Sequence, residues 1–158
     1  MKTFLENIQT AVIGSLNEAG HPFSSYAPYV YENNRFYIYI SDIATHSKNL
    51  KRSSSSSLFF IEDESKTENL FARKRISLEC EAAFIPRDSL HFEEVLNLFE
   101  EKFDASMVQM LKKMVDFNLV EFEVKAGEAT FGFGEAYVIG GENMNELRPR
   151  TGGSGHKK

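Results

Sequence analysis

From Thr10 onward the chain alternates apolar and polar residues in short runs separated by turn-forming residues, the pattern of antiparallel strands. Thr10–Leu16 is apolar and β-branched, and Asn17-Glu18-Ala19-Gly20-His21-Pro22 reads as a turn. Phe23–Tyr31 alternates loosely and Asn33-Asn34 turns the chain. Arg35–Ser41 then sets Phe36, Ile38 and Ile40 on one face against Tyr37 and Tyr39 on the other. Asp42 is placed to cap a short helix over Ile43–Leu50. The serine run Ser53–Ser57 is either a loop or the polar start of a strand ending in Leu58-Phe59-Phe60-Ile61. The second reading is preferred, because a strand must begin within a residue or two. Glu62–Asn69 is polar and reads as a loop with a helical turn. Arg73–Phe84 follows as a long strand, with Ile76, Leu78, Cys80 and Ala82 on one face and Arg73, Arg75, Ser77, Glu79 and Glu81 on the other.

The period then changes. After Pro86, Phe92, Val95, Leu96, Phe99 and Phe103 form an apolar stripe on a helix over Ser89–Lys102, with Asp88 as its expected cap. A second helix, Ala105–Met114, carries Met107, Met110, Leu111 and Met114 at helical spacing, a stripe expected to face the core. Two strands, Phe117–Val124 and Thr130–Ile139, complete the pattern, with Gly132 and Gly134 expected inside the last one as a bulge or close backbone contact. The sum is roughly six strands with a helical hairpin between the fifth and sixth. The fold class is α+β, an antiparallel sheet able to close into a small barrel. The expected organisation is a folded domain over residues 1–140 and a flexible tail over 141–158, since Gly152-Gly153-Ser154-Gly155 cannot contribute to a core.

Composition narrows the function classes. The 158 residues suit one domain, and the 14 phenylalanines with no tryptophan suit a β-rich interior. No apolar run approaches the roughly 20 residues that span a bilayer, so no membrane role is expected. The N-terminus shows no signal-peptide pattern and Cys80 is the only cysteine, which together imply a reducing cytoplasm. A formal net charge of −5 argues against nucleic-acid binding. Basic residues nevertheless cluster locally, at Lys48, Lys51 and Arg52, at Arg73-Lys74-Arg75, and at Arg148, Arg150, Lys157 and Lys158. Such clusters in an acidic chain suit a small anionic ligand carrying carboxylates or phosphate.

Candidate chemistry is sparse. Cys80 falls on the apolar face of its strand and reads as a packing residue. His21 and His91 read as surface. His46 shares a short helix with Lys48, Lys51 and Arg52, and His156 sits in the glycine-rich tail, as a hinged metal ligand or as part of a linker. No histidine pair has metal spacing, and no phosphate loop or nucleophile elbow occurs. The acid run Glu62-Asp63-Glu64 reads as solvated charge. A small barrel, cationic patches and one tail histidine suit a cofactor that fills its own equatorial positions, as haem does with an axial histidine and basic partners for its propionates.

Ordered blocks then carry a family resemblance. Gly20–Val30 resembles a strand of pyridoxamine-phosphate-oxidase-like split-barrel proteins. Ile40–Leu50, Ile61–Glu64, Leu70–Arg75, Gly132–Tyr137 and Gly155-His156-Lys157-Lys158 resemble their HugZ/HutZ haem-utilisation branch. The likeness runs from about Gln9 to the C-terminus, departing at the serine run. It implies a homodimer of split barrels that binds haem b in a groove near the dimer interface. By the same resemblance His156 is the axial iron ligand, Asp116 its hydrogen-bond partner, and Arg75 the residue over the distal face. Arg73, Lys74, Lys48 and His46 are the further cofactor-binding candidates. The implied activity is O2-dependent haem degradation with an electron donor or reductase as partner. Haem storage or delivery, and FMN-dependent oxidoreduction, are the rival readings, because other branches of the superfamily bind FMN.

Overall fold

The computed structural model describes residues 1–150. After a short N-terminal helix α1 (Lys2–Glu6), the chain forms a meander of β1 (Thr10–Leu16), β2 (Pro22–Glu32) and β3 (Arg35–Ser41). Helix α2 (Thr45–Arg52) leads to β4 (Ser55–Ile61), and two 3₁₀ turns lead to β5 (Arg75–Ile85). The helical hairpin α3 (Leu90–Lys102) and α4 (Ala105–Lys112) precedes β6 (Phe117–Thr130), β7 (Ala136–Gly140) and β8 (Glu146–Pro149). The serine run is thus mostly strand, with Ser55, Ser56 and Ser57 opposite Glu81, Cys80 and Glu79 of β5.

All pairings are antiparallel, in the order β3-β2-β1-β4-β5-β6-β7-β8, and a β3–β6 ladder closes six strands into a barrel. Strand β6 makes this possible by serving two neighbours on one edge. Its first half pairs with β3, from Phe117 opposite Ser41 to Glu123 opposite Arg35, and its last residues, Gly127–Thr130, pair with β7. The other edge of β6 follows β5 along its length, with an irregularity between Glu79 and Cys80. The expected antiparallel split barrel with an inserted helical hairpin is therefore the observed architecture.

The barrel interior is filled by the inward set of each strand, including Ile13, Tyr29, Phe36, Ile38, Leu58, Phe60, Ile76, Leu78 and Phe122, all at most 1% exposed. Phe60 lies 4.9 Å, centroid to centroid, from both Tyr29 and Phe36. Burial of this aromatic cluster stabilises the barrel by about 1.5–3 kcal/mol per fully buried large side chain. Cys80 belongs to the same interior, and burial pushes its thiol up to about 12, so it packs rather than reacts. Helix α3 covers the outside of the barrel, where Phe92, Val95, Leu96 and Phe99 meet Val30, Tyr37 and Leu119. Lys102 ties its end to the wall, donating to the Tyr29 carbonyl at 2.8 Å.

Three local expectations change. Helix α4 buries only Val108, while Met107, Met110 and Met114 are exposed, because α3 already covers the wall and α4 packs against α3 along one narrow line. The expected last strand divides: Thr130 ends β6, residues 131–135 turn, and β7 begins at Ala136. Gly134 sits there at φ +73°, a conformation open to glycine, and a Cβ on Gly132 would meet the Glu135 carboxylate at 3.0 Å. Past residue 140 the chain turns again and returns as β8, so the first part of the segment read as tail is an edge strand.

Candidate functional site

The basic triplet lies where β4 hands over to β5. The Lys74 carbonyl accepts from the Glu62 amide at 2.9 Å, which holds the connecting segment shut. Arg73 Nε donates to the Glu62 carbonyl at 2.6 Å, and Arg75 Nη1 donates to the Arg73 carbonyl at 2.7 Å. A carbonyl fixes a guanidinium without neutralising it. Among the described residues neither arginine enters an ion pair, although Glu62, Asp63 and Glu64 line the same groove.

Arg73 and Lys74 line a groove of about 1420 Å³, larger than the roughly 300–1,000 Å³ of an ordinary ligand pocket. Its other side is made by α1 and the residues just after it, the turn after β6 and strand β8, through Phe4, Ile8, Phe131 and Leu147. Phe4 and Phe131 meet edge to face at 5.6 Å. The groove has aromatic walls and the cations Lys66, Arg73 and Lys74, together with the carboxylates of Glu6, Glu62, Asp63, Glu64 and Glu135. Arg73 and Lys74 are the part of it suited to the anionic groups of a flat, largely apolar ligand such as haem. The last described residue, Arg150, is held at this same end: its amide donates to the Ala136 carbonyl at 2.9 Å and its guanidinium pairs with Glu128. His156 lies outside the described residues, six positions further on.

The other three candidates sit elsewhere. Arg75 is opposite Thr130, the last residue of β6, whereas Asp116 immediately precedes the first, Phe117. At about 3.3 Å per residue, the 14 residues of β6 separate them by roughly 45 Å of strand. Asp116 is exposed and its carbonyl accepts from the Asp42 amide at 2.7 Å. His46 and Lys48 stand on α2, at the Asp116 end. His46 Nδ1 shares a 2.7 Å hydrogen bond with Ser25 Oγ, and partial burial lowers its pKa, which favours the neutral imidazole. Lys48 points to solvent. One chain therefore gathers Arg73, Lys74 and Arg75 at one end, with the tail leaving from it, and places His46, Lys48 and Asp116 at the other.

Sequence reading missed the contribution of α1, which supplies part of the groove wall. The signal was slight: Phe4 and Ile8 are four residues apart, but five helical residues are too few to show a period. The part played by Phe131 was hidden by placing residues 130–139 in a single strand, and that of Leu147 by reading residues 141–158 as a tail.

Known proteins with this pattern of residues and folds carry the comparison further. A sequence profile of the family described as pyridoxamine 5'-phosphate oxidase matches residues 1–131. Haem oxygenase HutZ of Vibrio cholerae is 32% identical over 144 residues, covering 91% of this chain and 81% of its own. The crystal structure of HutZ from that organism, described there as a haem storage protein, superposes with a TM-score of 0.75 at 31% identity, covering 78% of this chain and 87% of the other. Campylobacter jejuni ChuZ superposes with a TM-score of 0.84 at 30% identity, covering 99% of this chain and 65% of the ChuZ chain. Both the extent of these matches and the closed six-stranded barrel lead to one conclusion: this chain belongs to the pyridoxamine 5'-phosphate oxidase family of split barrels and, within it, to the group that includes HutZ.

Proposed function

We propose that this chain binds haem in the groove beside Arg73, Lys74 and Arg75, takes His156 as the axial iron ligand, and degrades the haem with O2 and a reductant to release iron. The observation that carries the reading is the convergence at one end of the barrel of guanidinium groups held by backbone carbonyls, an aromatic-walled groove and the last described residue, Arg150. Six residues, fully extended, reach about 20 Å, so a chain leaving Arg150 can carry an imidazole at position 156 about that far. The relatives' names, haem oxygenase and haem storage protein, support a haem ligand.

In this reading the chain's own residues divide the work. Arg73 and Lys74 hold the propionates at the groove edge. Arg75 presents a fixed positive charge to the reacting side of the haem, where charge grows during oxygen reduction. Asp116 accepts from the far nitrogen of the His156 imidazole, fixing its tautomer and strengthening its donation. Because Asp116 and Arg75 mark opposite ends of β6, the Asp116 that meets a given His156 comes from a second copy of the chain, and the working unit is a homodimer.

Titrating the apo chain with hemin tests the binding step. A saturable Soret band with one haem per chain is the expected result. Adding ascorbate in air then separates the rival outcomes. Loss of the Soret band with release of iron marks an oxygenase, and a stable band marks a storage or delivery protein. A yellow purified protein with flavin bands and no hemin uptake would overturn the proposal in favour of FMN.

A further inference from the structure

Away from the groove, three elements bring three metal-binding side chains to one point. Tyr37 of β3 and Glu121 of β6 are directly opposite in the barrel-closing ladder, on the outer face. His91, in the first turn of α3, reaches down onto the pair. Tyr37 Oη donates to Glu121 Oε2 at 2.8 Å, His91 Nε2 lies 3.2 Å from the same oxygen, and His91 Nε2 lies 3.2 Å from Tyr37 Oη. The three donor atoms thus form a closed triangle. Ligands bound at about 2.0–2.1 Å to one ion stand about 3.0 Å apart at octahedral angles and about 3.3 Å apart in a tetrahedron. All three sides of the triangle fall close to that span.

We infer that Tyr37, Glu121 and His91 form one face of a ferric-iron site. No three of His, Cys, Asp and Glu converge to hold a metal among the described residues, and here a phenol completes the set. The chemistry selects the ion. Phenolate and carboxylate oxygens are hard donors, imidazole is accepted by iron, and a trivalent cation displaces a phenol proton near neutral pH more readily than a divalent one of the same kind. Burial and the neighbouring Glu121 raise the Tyr37 pKa, so the phenol stays protonated until a strongly polarising ion arrives. Binding exchanges the phenol O–H bond for an O–Fe bond and releases the proton to solvent, with no change in the oxidation state of iron.

The surroundings prepare such a site. Arg35 Nη1 takes the other carboxylate oxygen, Oε1, at 3.4 Å, so Oε2 is the oxygen that Glu121 turns toward Tyr37 and His91. Glu123 pairs with both Arg35 and Lys125, and Glu32 adds negative charge near Tyr37. Tyr37 is 3% exposed, which fixes its ring against α3, while the His91 side chain is 45% exposed and gives access from solvent. None of the three residues is used in the proposed haem site, so the iron site stands or falls separately from that reading.

The test uses the full haem-free chain and ferric nitrilotriacetate as the iron source. A visible phenolate-to-iron charge-transfer band is expected with one iron per chain, absent in Tyr37→Phe. His91→Ala, at a position open to solvent, is expected to fold normally and to weaken iron binding by at least about tenfold, the lower bound for loss of even an indirect supporting group. No band in the wild-type chain, a band unchanged in Tyr37→Phe, or iron affinity unchanged in His91→Ala would each overturn the site.

Discussion

The two ends of the barrel are both polar, yet they handle charge in opposite ways. At the α2 end the polar side chains answer one another. Lys51 pairs with Asp42 at 2.7 Å, Asp42 also accepts from Asn118, His46 meets Ser25, and Asn49 donates to Ser15 at 3.1 Å. Ser47 closes the network by donating to the Ser41 carbonyl at 2.6 Å. At the Arg73 end the guanidinium groups are held by backbone carbonyls, which leave their charge intact. The α2 network uses its charges to hold a helix in place, whereas guanidinium groups that are held by carbonyls and stay out of ion pairs keep their capacity to pair with an anion. The difference separates structural from ligand-binding polarity more sharply than residue type does.

The largest test of that contrast concerns the two histidines. His156→Ala is expected to remove the strong protein–iron bond, so hemin titration should show loss of the wild-type Soret band. His46→Ala, at the satisfied end, should leave hemin affinity unchanged and cost about 1 kcal/mol of stability through the lost Ser25 bond. An unchanged spectrum in the His156 variant, or a lost one in the His46 variant, would reverse the assignment of the two ends.

Most of the barrel could be read from the sequence because its strands are amphipathic or strongly apolar over seven residues or more. Ile76, Leu78 and Cys80 alternate with Ser77, Glu79 and Glu81, and the observed burial follows that alternation. The lost details are of two physical kinds. Short elements such as α1 and β8 have too few residues to show a period. The α4 methionines have the correct spacing, but spacing shows only that a stripe exists and not that a partner covers it, and α3 had already taken the wall. The site was legible as a set of residue types, Arg73-Lys74-Arg75 with a tail histidine. Its division between two ends was not, because that division depends on strand register and direction, which bring Arg75 beside Thr130 and leave Asp116 at the far end of β6.

A smaller effect is expected from Arg75→Ala. Since Arg73 and Lys74 line the groove and Arg75 bonds to the Arg73 carbonyl, hemin affinity should change little while turnover falls. Equal turnover in single-cycle reactions with ascorbate would remove Arg75 from the chemistry. Asp116→Asn should keep haem bound, lower the Fe–His stretching frequency and alter the degradation rate, because the amide no longer carries the charge that strengthens the imidazole. The two variants together test whether a site draws on both subunits. Random mixing of Arg75→Ala and Asp116→Asn chains makes half the dimers mixed, each with one intact site, so the intact sites alone should supply about a quarter of wild-type activity on top of what the altered sites retain. No recovery after confirmed subunit exchange would mean that each chain builds its site alone.

The smallest effect belongs to the satisfied end and involves no ligand. The hydrogen bonds of Asp42 to Lys51 and Asn118 hold its carboxyl below the ordinary value of 3.8. A carboxyl lowered on folding binds fewer protons in the native than in the unfolded state across that interval. Its contribution is therefore fully present above pH 3.8 and is lost as pH falls through the lowered native value. Asp42→Asn keeps the size and one hydrogen bond but loses the charge, so its thermal midpoint should lie slightly below wild type at pH 7. The gap should close in acid, where the wild-type carboxyl is protonated too. Hemin affinity should be the same for both at pH 7, since this end already satisfies its own charge. A hemin defect in Asp42→Asn as large as that of His156→Ala would show that the α2 network takes part in the ligand site.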